Sequence, residues 1–189
     1  LEWYNSDEYK PVKDIRLAGF RYFDDISKTP TNYVPIYITK ASGTGCDKLD
    51  IMYSDRRVKP GSSPKTYEYT TYKITYECKA SNIVDKKTKL KINAFAIYKS
   101  KSKWSGSNWV APATSTDDLI YKDEMIVDHV QDFILLPIDE KGKIIDPAPT
   151  TLTGSNKIKV VDIMMSFRSQ SPFYKKDKSF ESLSLGKKI

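Results

Sequence analysis

Between Ile126 and Pro172 the chain reads IVDHVQDFILLPIDEKGKII, then a Pro/Thr/Gly-rich spacer, then IKVVDIMMSFRSQSP. Two apolar runs of β type therefore flank a turn and a loop, and the second run stops abruptly at Arg168-Ser169. Alternation of this kind recurs upstream. Leu49, Ile51 and Tyr53 alternate with Asp50, Met52 and Ser54. Tyr72, Ile74, Tyr76 and Cys78 share one side of a strand over Tyr67 to Lys79, while Lys73, Thr75, Glu77 and Lys79 share the other. After a polar turn at Asp85-Lys86-Lys87 the pattern resumes as Leu90, Ile92, Ala94, Ala96 and Tyr98, which predicts a hairpin. Val34 to Thr39 reads as a short strand and Gln131 to Ile138 as another, turned at Asp139 to Gly142. Lys157 to Arg168 is a long strand with Val161, Ile163, Met165 and Phe167 on one face. Ser100 to Thr116 reads as a Ser/Lys/Trp loop and Asp146 to Asn156 as irregular.

The front of the chain is different. Val12, Ile15, Ala18/Gly19, Tyr22 and Ile26 recur at steps of three and four, an apolar stripe that predicts a helix up to about Asp25. Pro11 either suits its first turn or kinks a helix begun near Asn5, and Thr29-Pro30 breaks the pattern. A helix with one apolar stripe must be covered by something. The expected fold class is therefore α+β, an N-terminal helix packed on an antiparallel β-sheet or sheets.

With 189 residues, 39% of them hydrophobic, the chain suits one domain with a sizeable core, or one domain plus an appendage. No run of eighteen apolar residues is present, so nothing in it predicts a membrane-spanning helix. No signal peptide is visible and the first residue is Leu1, which predicts a processed or truncated product. The net charge of +7 raises the question of nucleic acid. The lysines instead are scattered and often alternate with apolar residues, as is read for Lys87, Lys89, Lys91 and again Lys99, Lys101, Lys103, a spacing expected of a solvated strand face. No nucleic-acid partner is expected from the pattern, and a weak attraction to anionic surfaces is compatible with it. Cys46 and Cys78 form either one disulfide, suited to an oxidising compartment, or two buried thiols. A bridge would close a loop worth about 3–4 kcal/mol in the chain-entropy model.

Catalytic equipment is not legible. His129 is the single histidine and lies among Val127, Val130 and Phe133, and no Gly-x-Ser-x-Gly elbow is present. One histidine and two distant cysteines make a poor zinc shell, and Asp117-Asp118, Asp123-Glu124 and Asp139-Glu140 lack the spacing of a calcium loop. Gly142-Lys143 and Gly186-Lys187 have no glycine-rich loop before them. The expectation is no enzyme, no cofactor and no metal. Thirteen tyrosines and three tryptophans leave one further class, a ligand-stacking surface, for which Trp104 and Trp109 are the candidates.

Four segments carry a family resemblance. Asp14-Ile-Arg-Leu-Ala-Gly-Phe20 resembles the end of the first helix in PilW-type minor pilins. Asp47-Lys-Leu-Asp-Ile-Met-Tyr53 resembles the strand that follows, Val130-Gln-Asp-Phe-Ile-Leu135 a later strand, and Val160-Val-Asp-Ile-Met-Met-Ser-Phe-Arg-Ser169 the closing one. Their order and spacing match over about residues 12 to 170, and the pseudopilins of type II secretion share the plan. No clear version of the family's arginine-rich terminal strand is present. The resemblance implies a pilin-like fold, with residues 1–28 as the end of a spine helix, 29–170 as a globular antiparallel β domain and 171–189 as a Lys/Ser-rich tail. It implies a structural subunit of the bacterial cell envelope that primes or caps a type IV pilus-like filament by docking onto other minor pilins or pseudopilins. Val12, Ile15, Arg16, Leu17, Ala18, Phe20 and Phe23 would carry the docking. It further implies attachment to the inner membrane through an apolar N-terminal helix that this chain lacks, a periplasmic or filament-tip location, and a system serving pili, secretion or DNA uptake. The alternative is a secreted or surface carbohydrate- or adhesin-type binding domain using Trp104 and Trp109.

Overall fold

In the computed structural model, described for residues 14–19, 30, 33–43, 45–59, 61–110, 120–168 and 183–187 (the last five and Arg57 by backbone alone), antiparallel strands dominate. They are β1 (Ile36–Thr39), β2 (Lys48–Val58), β3 (Tyr67–Ala80), β4 (Phe95–Trp104), β5 (Trp109–Val110), β6 (Tyr121–Ile138), β7 (Val160–Phe167) and β8 (Leu183–Lys187). A short helix, α1 (Leu152–Ser155), lies between β6 and β7. The strands form one sheet in the order β1-β2-β3-β4-β6-β7-β8, with β5 folded back on β4. Apart from β5, strands that follow one another in the chain are neighbours in the sheet, the usual arrangement of sequential antiparallel strands.

The sheet curls into a half-barrel. β6 causes much of this. It is long, carries left-handed residues at Asp123 (φ 55°) and His129 (φ 64°), and slips register against β4 near them. Bulges of this kind bend a strand and increase its twist. Its first half pairs with β4 and its second half with β7. Where β4 has run out, the Gly45–Asp47 segment takes its place beside β6. The Asp47 N–H donates to the Phe133 carbonyl at 2.8 Å and the Phe133 N–H to the Gly45 carbonyl at 2.5 Å. On the other side, Ser155 of α1 reaches β1. Its hydroxyl donates to the Ile36 carbonyl and accepts from the Ile36 N–H, both at 3.1 Å. The concave face encloses the core: Leu49, Ile51 and Tyr53, then Tyr72, Ile74 and Tyr76, then Ile97, Val130, Phe133, Leu135, Val161 and Ile163.

The expected α+β architecture, a helix laid on a sheet, is overturned. Among the described residues at the front, Asp14 and Ile15 are helical and 16–19 are turn. The Leu17 N–H bonds to the Asp14 carbonyl and the Ala18 N–H to the Ile15 carbonyl, a tight i to i−3 pattern that is not propagated. Gly19 then takes a φ of +76°, which ends helical winding. Ile15 and Ala18 both pack on the core, at the three-residue step of the expected stripe, but the winding stops at Gly19. Val12, Tyr22 and Ile26, the rest of the stripe, lie outside the described residues. Other boundaries moved too. β4 begins at Phe95 rather than Leu90 and continues through Trp104 where a loop was expected, and β6 begins at Tyr121 rather than Gln131.

Candidate functional site

The register of β3 on β4 sets Tyr72 opposite Lys103, Ile74 opposite Lys101 and Tyr76 opposite Lys99. Partners across a ladder share a face, so these three lysines lie on the concave side with the tyrosines. This corrects their reading as a solvated face. Tyr53 of β2 faces Tyr72, and Tyr121 of β6 faces Lys101, which completes a wall of tyrosines and lysines. The Lys101 ammonium lies 4.3 Å from the centre of the Tyr72 ring and 5.5 Å from that of Tyr53. The Lys99 ammonium is 5.7 Å from both the Tyr76 and the Tyr121 rings. Long apolar stems allow lysine to occupy such positions, with the charge held against aromatic faces.

Asp14 closes the wall. Its Oδ2 accepts from the Tyr76 hydroxyl and from the Lys99 ammonium, each at 2.6 Å, and the residue is buried. Burial pushes the Tyr76 phenol far up, and the Asp14 charge beside it pushes further. Burial pulls the Lys99 ammonium down, but hydrogen bonds to Asp14 and Tyr121 outweigh it and leave the group above its ordinary value. Five residues on, the Gly19 N–H donates to the Met52 carbonyl of β2 at 2.9 Å. Pro35 sits so close that a Cβ on Gly19 would lie 3.3 Å from it. The 14–19 segment is thus fastened at both ends. Of the docking residues expected from sequence, Ile15 and Ala18 face the core while Arg16 and Leu17 face solvent. Val12, Phe20 and Phe23 lie outside the described residues.

Cys46 and Cys78 are joined in a disulfide with Cα atoms 6.1 Å apart. It ties the Gly45–Asp47 segment to β3. Next to it, Asp47 is buried and saturated. Oδ1 accepts from the Ala41 N–H at 2.9 Å, and Oδ2 accepts from the Leu135 N–H at 2.8 Å and from the Lys40 ammonium at 2.5 Å. Lys40 also donates to the Leu135 carbonyl at 3.0 Å.

Trp104 and Trp109 face each other across the tip of the β4–β5 hairpin, edge to face, with ring centres 5.2 Å apart. The Lys73 ammonium lies 4.9 Å from the Trp109 ring. Both rings are half-buried and clasp the hairpin. Among the described residues, no three His, Cys, Asp or Glu side chains gather as a metal site would require, and no helix is long and apolar enough to cross a membrane. With both thiols oxidised, His129 has no cysteine to pair with. What the arrangement does chemically is hold and orient segments. Sequence reading missed its main actors, Asp14, Asp47, Tyr76 and Lys99, because no spacing marks a lone acid or base that finds its partner across the fold.

No protein-family model, curated protein or solved structure matches this chain significantly.

Proposed function

We propose that this chain is a structural subunit of an envelope filament, a minor pilin or minor pseudopilin ectodomain that primes or caps assembly through contacts with other minor subunits. The observation that carries the reading is the spatial contiguity of the four resembling segments. Gly19 of the first bonds to Met52 of the second. Asp47 of the second bonds to Leu135 of the third. The third pairs with the fourth from Val130 opposite Phe167 to Leu135 opposite Ile163. Segments separated widely in sequence thus form one joined unit, to which the first is pinned by Asp14. A filament subunit must pass load from its N-terminal segment into its head, and a segment locked at Asp14 and Gly19 supplies that coupling. The disulfide suits a compartment outside the cytoplasm. Leu17, 37% exposed beside exposed Arg16, is offered to a neighbour.

The test is a photo-crosslinking residue at position 17 in the full-length protein in cells, combined with deletion of the gene. Deletion should reduce surface filaments or type II secretion, and the crosslink should capture another minor subunit. A deletion that changes neither, with no crosslink formed, sinks the proposal. Glycan binding abolished by Trp104→Ala would replace it with a carbohydrate-binding reading; the mutual packing of the two indoles argues for a clasp instead.

A further inference from the structure

Past the hydrogen-bonded Asp132–Ser166 pair, the convex side of β6 and β7 is largely apolar where a solvated sheet face is ordinarily polar. Ile134 is opposite Met164, Leu136 opposite Asp162 and Ile138 opposite Val160, so these six share that side. Their chain neighbours Phe133, Leu135, Val161 and Ile163 fill the core on the other. Strands apolar on both faces belong to sheets covered on both. Here Met164 remains 40% exposed and Val160 37%. In their midst is Asp162, 9% exposed, whose Oδ1 has no hydrogen-bond partner among the described residues. A desolvated carboxylate oxygen without a donor is unfavourable, and a cation arriving with an apolar partner relieves it.

The loop joining β3 to β4 offers that complement. It is well braced: the Ser81 N–H bonds to the Ala94 carbonyl, the Ile92 N–H to Ile83 and the Asp85 N–H to Leu90. Asp85 Oδ1 accepts from the N–H groups of Lys87 and Thr88. The brace holds out Leu90, 69% exposed, between Lys89 and Lys91. A projecting leucine flanked by two ammonium groups matches an apolar face with a carboxylate at its centre in both polarity and charge.

We infer that the chain associates with itself, seating the Lys89-Leu90-Lys91 knob of one copy against Ile134, Leu136 and Met164 of another, with a lysine ammonium meeting Asp162. Every copy carries both halves of the contact, so association can propagate. The inference concerns the purified chain alone and stands whether or not the filament reading holds.

Sedimentation velocity at concentrations up to about 1 mM, the weak end of specific association, tests it. The wild-type protein should shift from monomer to larger species, less so at high salt. Leu90→Glu and Met164→Glu should each weaken self-association about tenfold or more. Both positions are exposed, so both variants should keep the wild-type circular dichroism and Tm. Mixed in equal amounts they should associate again, because one retains the face and the other the knob. A wild-type protein that stays monomeric over the whole range overturns the inference. So do variants that associate like wild type, and a mixture that stays monomeric.

Discussion

Asp14 carries a negative charge into the protein interior, where an uncompensated carboxylate is strongly unfavourable, and two donors at 2.6 Å hold it there. Removing one member of such a pair strands the other. Asp14→Ala should therefore cost about 3 kcal/mol in urea unfolding, because it leaves the Lys99 ammonium buried without a counter-charge. Combining Asp14→Leu with Lys99→Met should cost less than Asp14→Ala alone, since an apolar pair needs no compensation. Gly45 sets a second limit at this scale. Its φ of +124° strains any L side chain, and a Cβ there would lie 3.0 Å from the Phe95 ring, which would have to shift. Gly45→Ala should cost about 1–3 kcal/mol in the same assay. Neither residue announced itself in the sequence. Asp14 is one of 24 acidic residues, and nothing near it in the chain indicates that Tyr76 and Lys99 will meet it.

Strands were the legible elements. Period-two alternation located β2, β3 and β7 and the side of each that turns inward, and Cys78 lies on the apolar side as its spacing required. The register of β4 was not legible. Over Lys99 to Lys103 lysine and serine alternate, and lysine takes the inward position by laying its stem along tyrosine rings. The more apolar stretch from Leu90 to Ala94 precedes the strand instead. The front segment misled for another reason: Ile15 and Ala18 keep the helical step of three, but within 14–19 the winding ends at Gly19. The disulfide binds the strap at Gly45–Asp47 to β3 across a sequence separation of 32 residues. Replacing both cysteines by serine should lower stability by about 3–4 kcal/mol. Hydrogen exchange should speed up first at the Phe133 and Leu135 amides, which donate to that strap.

At the scale of the molecule, folding raises four neighbouring groups at one end of the concave face. Burial raises Tyr53, Tyr76 and Tyr121, and the bonds to Asp14 and Tyr121 raise Lys99 against the pull of burial. A group raised in the folded state stabilises it fully below the unfolded value and loses that contribution as pH climbs through the folded one. Stability should accordingly decline from about pH 10 upward, the ordinary range of tyrosine and lysine. Chemical denaturation at a series of alkaline pH values measures the slope, and Tyr76→Phe should make it shallower. Composition and alternation made an all-antiparallel body partly visible, but curvature depends on bulges near Asp123 and His129, whose residue types tolerate positive φ without by themselves marking a bulge.

The grip of Ser155 on Ile36 joins residues 119 apart along the chain. During synthesis, which runs from the N-terminus, β1 must wait for most of the polypeptide to emerge before that bond can form. Until then the young sheet presents a raw margin to whatever strand drifts past.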